Sequence, residues 1–185
     1  MTATDPHALL EALTEELLRA GFTREADPAT GIGRATHRLL VSPDAAVQIH
    51  ATAYRFGELQ ATLHGLDPRG AVRAPAWRAG TAALPASALL QAARAAAEPD
   101  TAPIEAWLVE AGWDLDECEY DGPRLLEARW ANLERTRSAC YLAPDEPCDP
   151  GGWLITRPDL QSARAHLDAT ATTPAAVIAA LALTD

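Results

Sequence analysis

Apolar and polar positions change rhythm several times along this chain, and the changes mark out its elements. In the segment DPHALLEALTEELLRAGF, Leu9, Leu10, Leu13, Leu17 and Leu18 recur at helical spacing. This predicts a helix capped by Asp5, with Pro6 in its first turn and Gly21 at its end. Residues 23–34, with DPATGIG at the centre, read as a loop. The rhythm then shortens. ATHRLLVS at 35–42 reads as a strand, Pro43–Ala45 as a turn, and AVQIHATAY from 45 as the returning strand. Val47, Ile49 and Ala51 alternate there with Gln48, His50 and Thr52, which gives the strand one apolar face. ELQATLHG at 58–65 supplies a third strand, and APAWRAGTAAL a short fourth beyond the GLDPRG turn. Pro85 opens a second helix over ASALLQAARAAAE.

The second half repeats this plan loosely. IEAWLVEAGW at 104–113 parallels LTEELLRAGF at 13–22, and both end in Ala-Gly-aromatic. The acidic segment DLDECEYDGP follows and reads as a loop. EARWANLERTRSACYLA at 127–143 occupies the place of the first hairpin, although Leu126, Trp130 and Leu133 also fit an amphipathic helix. GGWLITRP at 151–158 is a strand, and the segment 163–182 parallels 76–95, with Pro174 matching Pro85 and Ile178 matching Leu89. Matching residues are offset by 91 at the first helix and 89 at the last, as a duplication would leave them. The expected fold is α+β: two small units, 1–97 and 98–185, each an antiparallel sheet of three or four strands with a leading and a closing helix. The short proline-bearing stretch AAEPDTAP at 96–103 forms the boundary.

Charge separates the halves. Residues 1–97 carry nine acids and nine arginines, while 98–185 carry 17 acids and six arginines, and so hold the whole net charge of -11. No basic residue occurs from Ala95 through Pro123. Such a field disfavours duplex nucleic acid as a partner and favours a protein with a basic surface. No apolar run is long enough to cross a bilayer, and the first residues lack the basic start and unbroken apolar core of a signal peptide. The three cysteines, Cys118, Cys140 and Cys148, are too sparse for a disulfide framework and fit a reducing cytoplasm.

No phosphate loop, dinucleotide fingerprint, metalloprotease helix, paired-cysteine motif or nucleophile elbow occurs, so neither metal nor cofactor is expected and the balance leans away from an enzyme. The densest polar feature is Asp114, Asp116, Glu117, Glu119 and Asp121, bracketed by Trp113 and Tyr120. Carboxylates beside aromatic anchors suit a protein interface, and this points to a non-enzymatic binding or regulatory protein that recognises a basic partner. A second reading places a small-molecule or catalytic pocket between the units, with Arg38, His50, Glu58 and His64 converging. It requires the histidines of neighbouring strands to share a face. A third assigns Arg129, Trp130, Arg135 and Arg137 to a single-stranded nucleic acid, arginine on phosphate and tryptophan on base. Internal pairing of those arginines with Glu127 and Glu134 competes with it. Cys118 sits among carboxylates that blunt a thiolate.

Ser42-Pro43-Asp44 before a strand, Trp153 on a later strand, and Thr173-Pro174 leading into a closing helix together resemble the actinobacterial SPDY-type domain, present once in each half. Ala45 stands where that pattern has glycine, and Leu84 where it has threonine before Pro85. The resemblance implies a tandem α+β protein and brings no known reaction or catalytic residue with it.

Overall fold

The computed structural model describes residues 5–26, 35–54, 59–66, 75–82, 86–97, 102–144, 151–157 and 167–184, apart from the side chains of 81, 82 and 86. The centre of the first loop, the 67–70 turn, Glu58, Pro85, Cys148, His166 and the middle of the proposed boundary lie outside the described residues. In chain order the first half contains α1 (Pro6–Arg19), β1 (Thr23–Arg24), β2 (Ala35–Val41), β3 (Val47–Tyr54), β4 (Leu59–Leu66), β5 (Pro75–Ala82) and α2 (Ala86–Ala97). The second contains α3 (Ile104–Glu110), β6 (Trp113–Asp121), β7 (Arg124–Asn132), β8 (Ser138–Leu142), β9 (Gly152–Thr156), β10 (Leu167–Ala169) and α4 (Ala175–Leu183).

Two separate sheets are not what forms. All ten strands join one antiparallel sheet in the order β1-β2-β3-β4-β5-β10-β9-β8-β7-β6. The halves fuse where β5 pairs with β10, Ala79 opposite Ala169 and Gly80 opposite Asp168. Both strands would otherwise expose a row of unpaired backbone groups, and pairing them removes two edges at once. One sequence expectation changes with this, and one open choice is decided. The acidic run is a strand, β6, rather than a loop. The 127–143 segment is the β7–β8 hairpin rather than a helix, with Ala128 and Trp130 in the core and exposed Arg129 between them. Good helix formers yield here to the gain from burying one strand face.

Helices cover one side of the sheet. Val47, Ile49, Ala51 and Ala53 on β3 and Leu59, Ala61 and Leu63 on β4 face them. The leucines of α1 that reach this core are Leu10, Leu13 and Leu17, while Leu9 and Leu18 remain exposed. α1 packs over β2, β3 and β4, α2 and α4 pack on each other, and α3 rests on α4 and β6. α4 is apolar all round, as a helix wedged between neighbours must be. Its last turn has no basic residue, and arginines flanking β8 and β9 compensate: Arg157, only 3% exposed, donates to the Leu181 carbonyl, and Arg137 to that of Leu183. No helix among the described residues is long and apolar enough to cross a membrane.

The ladder repeats with a shift of 90 positions. Val41 pairs with Gln48, and Ala131 with Ser138. Gly65 pairs with Trp77, and Ile155 with Leu167. Both helix-end glycines, Gly21 and Gly112, have positive φ, 94° and 78°. The pairing between β8 and β9 departs from this shift: Gln48 faces His64, but Ser138 faces Thr156 rather than Leu154.

Candidate functional site

The β2–β3 turn is built by Ser42 and Asp44. The Ser42 hydroxyl accepts the Val47 N–H and donates to the Asp44 carboxylate, which also accepts the Ala46 N–H. The Ser42 hydrogen bond is the main reason that the Asp44 carboxyl titrates below its ordinary range. Ala45 takes φ 57°. The β7–β8 turn has no Ser-Pro-Asp and forms the same structure. Asn132 Oδ1 accepts the Arg137 N–H, the Asn132 N–H bonds the Arg137 carbonyl, and Arg135 takes φ 54°. Each turn walls a cleft beside the ends of a leading and a closing helix. The first, of about 180 Å³, is lined by Phe22, Asp44 and Arg94 among others, and the second, of about 510 Å³, by Trp113, Glu134 and Arg137 among others.

The acidic residues all lie on β6, which is one edge of the sheet. Asp114 faces Ala131 on β7, Glu117 faces Arg129, Glu119 faces Glu127 and Asp121 faces Arg124. Register shifts fall between Leu115 and Glu117 and between Glu119 and Tyr120. Asp116 is covered by Arg135, with Nη2 2.7 Å from its carboxylate. Asp114, Glu117, Glu119 and Asp121 are exposed, as is Tyr120 at 59%. Trp113 is not an exposed anchor: it is 5% exposed, buried in the place that Phe22 takes in the first half. Four strands separate β6 from the first half, about 24 Å at the usual strand spacing, and among the described residues no arginine of that half pairs with its carboxylates.

The residues of the second reading divide between the two faces. Arg38 turns to the helix side and pairs with Glu11 of α1. His50 and His64 share the open face, with ring centroids 4.6 Å apart. His37 is on that face too, its Nδ1 3.0 Å from the Thr52 hydroxyl. Burial holds both His50 and His64 below the ordinary 6.5, and the neighbouring His50 and Arg78 help to bring His64 down to about 4. Arg78, the third basic group here, was not among the sequence candidates. Its strand partner His64 would have pointed to it once the register was known.

The residues of the nucleic-acid reading are scattered by the fold. Trp130 faces the core, its ring 5.9 Å from Trp153, which also meets Tyr141 at 5.1 Å. Arg135 is drawn to Asp116, Arg137 to the end of α4, and Arg129 to the row of Glu117 and Cys140. Cys140 is half-buried beside Glu127, and burial first, then that carboxylate, pushes its thiol up to about 11. Cys118 is exposed on β6. No cluster of three or more metal-ligating side chains occurs among the described residues. Comparison with known proteins finds no matching family model, no similar curated protein and no similar solved structure.

Proposed function

We propose that this is a non-enzymatic binding protein that receives an extended basic segment of a partner protein along β6. The observation that carries the reading is the edge itself. Nine residues of strand lie at the end of a ten-stranded sheet and carry exposed carboxylates that no described arginine of the other half covers. An added strand gains backbone hydrogen bonds, and its side chains read charge. The acids discourage two copies of this edge from pairing with each other, so a basic strand is the complementary occupant. Glu119 opposite Glu127 costs stability in the free protein, and a docked cation would relieve it. Tyr120 and Leu115, both exposed on β6, add apolar contact.

We further infer that the halves descend from one duplicated unit, each resembling the SPDY-type domain. The ladder shift of 90 and the matched turns support this, and divergence would have left the partner-binding charge on the second copy alone.

The test uses a peptide of alternating arginine and threonine. Its affinity for the intact chain should fall with rising salt. Asp114→Asn, Glu117→Gln, Glu119→Gln and Asp121→Asn together should weaken it by about tenfold or more. Equal binding by this variant would refute the assignment.

A further inference from the structure

We propose that the open face of the first half holds a phosphate group, free or singly esterified, in a notch over Gly80 beside His50 and His64. Three adjacent strands build it. On β4, Thr62 faces His50 of β3 on one side and Gly80 of β5 on the other, and two residues on, His64 faces Gln48 and Arg78 in the same way. The two rows lie side by side on the face that no helix covers.

The glycine makes the notch. At the point where a side chain on residue 80 would begin, Arg78 Nη2 is 3.6 Å away, Thr62 Oγ1 3.7 Å and Arg78 Nε 3.9 Å. The Arg78 guanidinium and the Thr62 hydroxyl thus lie together over the Gly80 backbone. The Arg78 guanidinium has no carboxylate or hydrogen-bond partner among the described residues. A forked guanidinium, a hydroxyl and two imidazoles are donors suited to the several oxygens of a phosphate. His64 sits next to Arg78 with the His50 ring 4.6 Å away, and burial favours the neutral form of both histidines, which keeps three cations from crowding one patch. A dianion reverses that balance and favours their protonation. Two carboxylates flank the site: Glu25, bonded to Gln48 and acting on His50, and Asp168, opposite Gly80 on β10 and engaged in a further interaction. Both repel an anion and so set a limit on its affinity.

Gly80→Ala is the decisive variant. An added methyl meets its neighbours at ordinary contact distance and the backbone is unstrained, so the fold is kept while the notch is filled. Inorganic phosphate and methyl phosphate are each titrated into the intact chain while the imidazole resonances are followed. Saturable shifts at His50 and His64 are expected, with the His64 pKa rising from about 4 by roughly one unit or more. Gly80→Ala and Arg78→Ala should each weaken binding by about tenfold or more, with the melting temperature of Gly80→Ala unchanged. Tighter binding of methyl phosphate assigns an ester as the occupant, and tighter inorganic phosphate the free ion. Absence of saturable shifts with both probes, or wild-type binding by both variants, overturns the proposal.

Discussion

Ala79 lies directly opposite Ala169 in the sheet, and the two residues are 90 positions apart, the same interval that separates the matched pairs elsewhere in the ladder. Each is therefore the other's counterpart, and a local two-fold axis passes between them. Both are buried, Ala79 completely and Ala169 to within 6%. A larger side chain at either position must displace packed neighbours. Ala79→Leu and Ala169→Leu should each cost about 2–3 kcal/mol by overpacking. Since the two side chains meet, the double variant should depart from the sum of the singles, as denaturant titration of all three will show.

The two hairpin turns offer a second comparison. Ser42→Ala removes the acceptor of the Val47 N–H, and Asn132→Ala that of the Arg137 N–H. Each should destabilise by about 1–2 kcal/mol. The turns are at distant positions in the sheet, so the losses should add within a few tenths. Urea midpoints at constant slope are the measurement.

Acid should weaken the fold through His64. Its pKa is about 4 in the folded protein against the ordinary 6.5. Between these values the unfolded chain binds the extra proton, so stability falls as pH is lowered across that window and the penalty is complete below it. His50 is shifted the same way. The lowered pKa of Asp44 adds a loss at still lower pH, since its stabilisation is present above 3.8 and disappears as the carboxyl protonates. His64→Gln should flatten the decline between pH 6.5 and 4, measured as unfolding free energy against pH.

Much of this architecture can be read in the residues. Period-two alternation in 47–53 fixes β3, and the capped leucine repeat fixes α1, because each pattern has one solution that buries an apolar face. The β7 segment is harder. Glu, Arg, Leu and Ala favour helix locally, and only Ala128 and Trp130 facing the core decide for strand. The fusion of the halves into one sheet depends on β10, three residues long, which carries little pattern of its own. At the acidic edge the run of carboxylates is visible in the sequence, but the inward turn of Trp113 is not, since an aromatic beside acids reads equally as anchor or as core. The likeness of Ser42 and Asn132 is hidden for another reason: different side chains offer the same acceptor at the same turn position.

Hydrogen exchange at the backbone amides of β6 tests the central claim most directly. With the arginine–threonine peptide bound, new protection should appear within Trp113–Asp121 and disappear as salt is raised. Unchanged exchange along β6 under saturating peptide, or protection that survives high salt and falls on β3 to β5 instead, would contradict the account.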